Sequence, residues 1–227
     1  MSANDRKAWE RAQREQRIVD IALEVFVEHG YDRTGIPAIA DAAGYNRRTI
    51  YLYFQNKKEI FLAVVLRCMQ LLKESLETAA VLVPEDRAGL KQFAWAFFCF
   101  SEDYPEYMDL IMIYESRYFV YHEADKPADY GQRHAACQQV SDEIADMAVA
   151  AIEKAIANGT FVTDLKPRQL MLLLWGQIFG VIQILRIRQQ HFEAAFGLER
   201  DAMFNHFVEM VQAALSKPQE VTASVEH

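Results

Sequence analysis

Apolar residues recur at three- and four-residue spacing along almost the whole of this 227-residue chain, the period of helices buried on one face. The pattern predicts helices over roughly 57–80, 85–101, 104–121, 129–158 and 167–190. A last helix, near 199–216, carries the stripe Met203, Phe207, Met210, Val211 and Leu215. Pro84, Pro105, Pro127, the Asn158-Gly159 pair and Pro167 supply the breaks between them. No strand pattern of useful length, internal repeat or low-complexity tract appears, so the expected fold is all-α. Helical character begins near residue 5, and the tail after Pro218 is expected to fray.

The densest pattern lies between Thr34 and Ile60. Ile36, Ile39 and Ala40 repeat at helical spacing before Gly44, and Thr49, Ile50, Tyr53 and Phe54 do so after it. A glycine there ends the first short helix in a left-handed turn. Ala40 is small enough for two helices to cross closely, and Ile50 docks the second helix on the first. Asn46 is placed to cap that second helix, leaving Arg47, Arg48 and Thr49 in its first turn with side chains directed outward. An arginine fork matches the O6 and N7 acceptors of guanine, and a threonine methyl can touch that of thymine, so the chemistry is that of a major-groove reading helix. Tyr51, Tyr53, Lys57, Lys58 and Thr34 are donors placed to bond phosphates and set register. Phe54 and Ile50 read as core, and a solvated charged face is the plain alternative for the two arginines.

Residues 18–64 resemble the DNA-binding region of the TetR/AcrR family of bacterial repressors, on Ile18, Ala22, Phe26, Gly30, Tyr31, Thr34, Ile39, Ala40, Ala43, Gly44, Thr49, Ile50, Tyr51, Phe54 and Lys57. The resemblance implies base contacts near Arg47, Arg48 and Thr49 and phosphate contacts from Thr34, Tyr51, Tyr53 and Lys57, with Tyr45 and Asn46 completing the DNA-facing set. Three positions depart from the family pattern: Gly35 stands where a Ser or Thr cap is usual, Asn46 where Ser is usual, and Arg48 where Gly is common. The operator sequence therefore does not carry over. The implied architecture is an amino-terminal three-helix helix-turn-helix domain, residues 1–58, and a larger helical ligand-binding and dimerisation domain, residues 59–218, with 219–227 a disordered tail.

Charge is divided unevenly along the chain. The total is −8, yet residues 1–58 hold ten Lys and Arg against eight Asp and Glu, and residues 59–227 hold fourteen against twenty-four. A small basic head on an acidic body fits local rather than whole-surface binding of nucleic acid. Arg6, Lys7 and Arg11 near the start read first as a solvated helix extension and second as phosphate contacts. Cys68, Cys99 and Cys137 are odd in number and widely spaced, and no apolar signal segment opens the chain, which together suggest a reducing cytoplasm.

Leu170 to Leu185 is the most apolar run, but it is shorter than the roughly twenty residues of a spanning helix and includes Gln177 and Gln183. A helix apolar nearly all round needs cover, and a second subunit is the readiest one. We expect a homodimer interface of this helix and the last, through Leu173, Gly176, Gly180, Ile184, Phe207 and Met210, forming a four-helix bundle. Such a dimer would hold two reading heads over successive major grooves of a palindromic operator, about 34 Å apart.

The middle of the chain is rich in rings. Most are expected to be core, but Phe93, Phe97, Tyr104, Met108, Met112, Tyr114 and Tyr118, with Trp175 and Phe179, are also what lines a pocket for an apolar or aromatic effector. The family resemblance implies such a small-molecule effector. Glu115, Arg117 and His122 are candidate polar contacts. No phosphate-cradling glycine loop, HExxH or Gly-x-Ser-x-Gly elbow is present, and none of the six histidines follows a Glu by three residues, so neither an enzyme nor a cofactor or metal site is expected. His122, Glu123 and His134 are at most an adventitious metal cluster. The expected function is a ligand-responsive transcription repressor, in which effector moves the helix beginning at Lys57 and shifts the spacing of the heads. The contrasting reading is a helical small-molecule-binding or adaptor protein that does not read DNA specifically.

Overall fold

The computed structural model describes residues 2–81, 89–120, 125–187 and 192–216. Pro84, Tyr121, His122, Glu123, Arg188 and the tail 219–227 lie outside the described residues. Among those described, all regular structure is helical: α1 (Ala3–His29), α2 (Ile36–Ala42), α3 (Arg47–Tyr51), α4 (Lys57–Val81), α5 (Gly89–Asp103), α6 (Pro105–Arg117), α7 (Gln132–Ala157), α8 (Pro167–Ile187), α9 (Phe192–Phe196) and α10 (Arg200–Leu215). They form two compact units, one of residues 1–74 with 102–142, the other of residues 75–101 with 143–227. These units are drawn differently from the division after residue 58, because α6 and the first turns of α7 pack with α1–α4.

The first unit is organised around rings and branched aliphatics. Ile18, Ala22 and Phe26 recur every four residues on α1 and are buried, together with Ile39, Ala40, Ile50, Phe54 and Phe61. Phe26, Tyr31 and Phe61 form a triangle whose Tyr31–Phe61 side is 4.3 Å between ring centres. Packing of this kind contributes on the order of 0.5–1.5 kcal/mol per pair beyond area burial. Gly30, at φ +78°, ends α1 by donating its N–H to the Phe26 carbonyl.

Helix ends differ from the sequence reading for identifiable reasons. Serine and aspartate at the start form a reciprocal cap, Asp5 N–H to Ser2 Oγ and Ser2 N–H to Asp5 Oδ2, so α1 begins at residue 3 rather than 5. α6 stops at Arg117 because the backbone of Tyr118 leaves the helical region, φ −128°, while its hydroxyl and carbonyl are both bound elsewhere in the unit. α7 starts at Gln132, after a turn in which Tyr130 N–H bonds the Pro127 carbonyl.

In the second unit, α5, α8 and α10 interlock through aromatic side chains. Phe98 stacks on Phe204 at 4.3 Å, Trp95 meets Phe204 edge-on at 5.2 Å, and Phe97 meets Trp175 at 4.9 Å. A second cluster gathers Ile152, Phe161, Leu170 and Leu174, with Val211 and Leu215 of α10 against it. The inward stripe of α10 is thus Phe204, Val208, Val211 and Leu215, whereas Met203 is half-buried and Met210 exposed. α8 is 21 residues long and its most apolar 18-residue window has a mean hydropathy of 1.8, so, against the expectation drawn from the run Leu170 to Leu185, by length and composition alone it could cross a bilayer. The five-residue α9 has no counterpart in the sequence reading.

Candidate nucleic-acid interface

The turn between α2 and α3 is fixed by backbone bonds. Gly44 adopts φ +69°, its N–H bonding the Asp41 carbonyl, and Tyr45 N–H reaches back to Ala40 at 2.9 Å. Ala40 and Ile50 are both fully buried where the two helices meet. α2 begins without a side-chain cap: Gly35 is its N-cap, and a Cβ there would stand 3.3 Å from Cδ of Pro37. Pro37, two residues on, thus crowds the position where a larger cap residue would begin its side chain.

Asn46 caps α3 as its position predicts, its Oδ1 accepting from the Thr49 N–H at 2.8 Å and from the Thr49 hydroxyl at 3.1 Å. Arg47 and Arg48 are exposed in the first turn that follows. Tyr51 is 55% exposed, whereas Tyr45, Thr49 and Tyr53 are half-buried. Arg11 lies against the far end of α3, donating to the Leu52 carbonyl at 2.8 Å with its guanidinium 5.0 Å from the Tyr53 ring centre.

Three expected phosphate donors are engaged within the fold. Thr34 is buried, its hydroxyl donating to the Gly30 carbonyl at 2.8 Å, so that group braces the α1–α2 turn and does not face outward. The Lys57 ammonium donates to the Tyr31 carbonyl at 2.9 Å and sits 4.4 Å from the Tyr31 ring centre. Lys58 pairs with Asp129 at 2.9 Å and holds that carboxyl below its usual range. Of the expected DNA-facing residues the exposed ones are Asn46, Arg47, Arg48 and Tyr51, with Asn46 and half-buried Thr49 forming the cap of α3.

A polar network that sequence reasoning missed ties this head to α6 and α7. Tyr31 and Tyr118 share a hydroxyl–hydroxyl bond of 2.7 Å, and burial first, then this bond, pushes the Tyr31 phenol up. Arg117 grips Asp32 in two bonds of 2.6 and 2.9 Å, depressing its carboxyl. Arg133 donates to Glu15 and to Glu59, at 2.6 Å each, with its guanidinium 4.7 Å from the Phe54 ring centre. The buried imidazole of His134 bonds the Tyr118 carbonyl through Nε2, and burial lowers its pKa. These partners lie 16–118 residues apart, so no local spacing announces them.

Residues 18–64 match the family described as bacterial regulatory proteins, tetR family, over the helices whose turn and cap have just been traced. Residues 18–64 are thus similar to the DNA-binding region of the TetR/AcrR family. It is 30% identical over 138 residues to the transcriptional activator FasR of Mycolicibacterium smegmatis, a stretch covering 60% of this chain and 59% of FasR. It is 44% identical over 48 residues to the fatty acid metabolism regulator protein of Bacillus subtilis, covering 21% of this chain and 25% of that one. The match thus spans little more than half the length of the first of these relatives and a quarter of the second. A crystal structure of the regulator FadR of Bacillus subtilis in complex with stearoyl-CoA shares the fold, with a TM-score of 0.63 at 19% identity over 88% of this chain and 98% of that one.

The expected effector residues are distributed between the two units. Tyr104, Met108, Met112, Tyr114 and Tyr118 belong to the first; Phe93, Phe97, Trp175 and Phe179 belong to the second. Within the second, Trp175 stands between Phe97 at 4.9 Å and Phe179 at 6.5 Å. Within the first, Met108 and Tyr114 are fully buried, Tyr104 is exposed and stacked on Tyr107, and Tyr118 is bound to Tyr31. Glu115 accepts from the Ser141 hydroxyl at 3.2 Å, and burial pushes its carboxyl up to about 7.

The expected subunit contacts are mostly uncovered by the chain itself. Leu173 is 52% exposed, Ile184 51% and Met210 70%, and a Cβ added at Gly176 or Gly180 would meet nothing within 4 Å. Phe207 differs, being half-buried beside Leu174, Ile178 and Val211 in a shallow apolar groove of the second unit.

Proposed function

We propose that this protein is a cytoplasmic, homodimeric, sequence-specific DNA-binding transcription regulator, a repressor released from a palindromic operator by a small apolar effector. The observation that carries the reading is the capped α3, which presents Arg47 and Arg48 outward at the mouth of a left-handed glycine turn. Residues 1–58 act as the reading head, and residues 59–218 receive effector and form the dimer. The uncovered apolar strip of α8 supports the dimer, since a monomer rarely leaves several large aliphatics of one helix in water.

A long apolar acyl group is the effector class we favour. Two observations support it: a relative carries fatty acid metabolism in its name, and the FadR neighbour was solved with stearoyl-CoA. Phe97, Trp175 and Phe179 in one unit, and Met108, Met112 and Tyr114 in the other, are the side chains to test individually as contacts. The network joining Tyr118, Arg117 and Arg133 to α1 and α4 gives movement of α6 or α7 a direct route to the head. FasR is an activator by name, which favours activation as the second reading; a reporter gene downstream of the bound site separates the two.

The deciding experiment is selection of bound duplexes from a random-sequence pool. A palindromic consensus with two half-sites about one helical turn apart is expected, and it should be lost with Arg47→Ala or Arg48→Ala. Equal retention of all duplexes would overturn the reading in favour of a helical protein that does not read DNA.

A further inference from the structure

Within the first unit, α6 and the loop after it meet the start of α7 through a line of polar groups. At about 100° per residue, His134, Gln138, Ser141 and Asp142 share one face of α7. His134 donates through Nε2 to the Tyr118 carbonyl, and Gln138 accepts from the Val120 N–H at 3.2 Å. Gln138 also donates to Asp142 at 3.4 Å, and the Ser141 hydroxyl donates to Glu115 at 3.2 Å.

Glu115 has no cation in this seam. Among the described residues, Ser141 and Asp142 on α7 and Tyr114 beside it on α6 are the polar and titratable groups that bear on it, and none is positive. Burial is the main reason that its carboxyl keeps a proton up to about 7, the Ser141 bond opposing the rise and the Asp142 charge adding to it. Losing the proton sets a second negative charge near Asp142, which only water or separation of the helices relieves.

The closed seam is also short of partners. The Tyr114 hydroxyl and His134 Nδ1 are buried with no hydrogen-bond partner among the described residues. Because Nε2 carries the proton given to Tyr118, Nδ1 is left as an unmatched acceptor. Polar atoms withdrawn from water without a partner weaken the contact that hides them, so one added charge acts on a seam already near balance.

Two residues beyond Glu115, at the end of α6, lie the groups that hold the head. Arg117 takes Asp32 in two bonds, and Tyr118 shares its hydroxyl bond with Tyr31. Tyr31 and Asp32 lie in the turn between α1 and α2, so displacement of α6 reaches the reading head directly.

We propose that Glu115 is a pH-operated latch. Neutral, it keeps α6 on α7 and the head braced for its operator; ionised, it loosens α6, frees the contacts to Tyr31 and Asp32, and lowers operator affinity. An unbraced head has to be ordered at the moment of binding, which is why affinity falls. The inference rests on the DNA reading proposed above and concerns protons, not the effector.

The test follows two quantities on the full chain between about pH 6 and about pH 8.5: affinity for the duplex enriched from a random pool, and hydrogen-exchange protection of the α6 amides, corrected for the intrinsic rate. In wild type both should fall as pH rises through about 7, affinity by roughly tenfold per chain. Glu115→Gln should hold both at their acidic values throughout. Asp142→Asn removes the neighbouring charge and should move the wild-type midpoint to lower pH, a shift that a simple loss of packing would not produce. A pH profile that E115Q shares with wild type, a midpoint that D142N leaves in place, or protection that falls while affinity stays level overturns the latch and leaves the DNA reading intact. If no duplex is selected at any pH, the DNA reading fails and the latch with it.

Discussion

Arg133 on α7 places a guanidinium nitrogen 2.6 Å from a carboxylate oxygen of Glu59 on α4. A second nitrogen of the same fork takes Glu15 of α1 at 2.6 Å, so one residue joins three helices of the first unit. Replacing it with Met leaves two partly buried carboxylates side by side without their cation. Stability should drop by about 1–3 kcal/mol, less than for a fully buried pair because all three side chains retain some water contact. Urea denaturation measures this, and R133M combined with E15Q and E59Q should recover part of the loss.

Asn46 is the sole side-chain cap of a five-residue helix. Asn46→Ala should cost about 1 kcal/mol in global stability. The loss of operator affinity should be larger, because fraying the first turn of α3 disorders Arg47 and Arg48 together. Asn46→Ser, which can accept the same bond, should restore binding; electrophoretic mobility shift on the enriched duplex compares the three.

The outer strip of α8 should define the oligomer. Leu173→Glu or Ile184→Glu places charge on a face the chain itself does not cover. Either change should convert a dimer to monomer in sedimentation velocity while helicity is retained, and operator binding should fall with it. A dimer that survives both substitutions would place the subunit contact elsewhere.

Glu115 supplies a pH signature. Its folded pKa, about 7, lies above the ordinary carboxyl value of 4.5, with burial as the leading cause. The folded state therefore holds a proton that the unfolded chain releases. Stability from this group is complete below about pH 4.5 and is lost as pH rises through 7. Glu115→Gln cannot ionise, so relative to wild type it should gain on the order of 2 kcal/mol at pH 8 and nothing near pH 4. Parallel melting curves across that interval check the sign.

Features set by neighbours along the chain were legible before the coordinates. Gly44, Asn46 and the crossing pair Ala40 and Ile50 depend on spacing within a dozen residues, and each sits as the spacing requires. Thr34 and Lys57 show where that legibility stops. Both are donors in the right stretch, but whether a hydroxyl or ammonium faces outward depends on carbonyls that the fold brings to it. The same limit hid Arg117–Asp32 and Tyr31–Tyr118, whose partners are 85 and 87 residues apart. α8 was recognisable by its apolar run and begins at Pro167, where the sequence places its start.

The aliphatic side chains that α8 leaves in water also bear on how this protein behaves when scarce. Leu172, Leu173, Ile184 and Ile187 exact a solvation cost from an isolated chain that self-association removes. Its resistance to unfolding should therefore be a function of abundance, with a melting temperature that climbs as the sample is concentrated. A cell making only a few copies would hold a more fragile molecule than one making many.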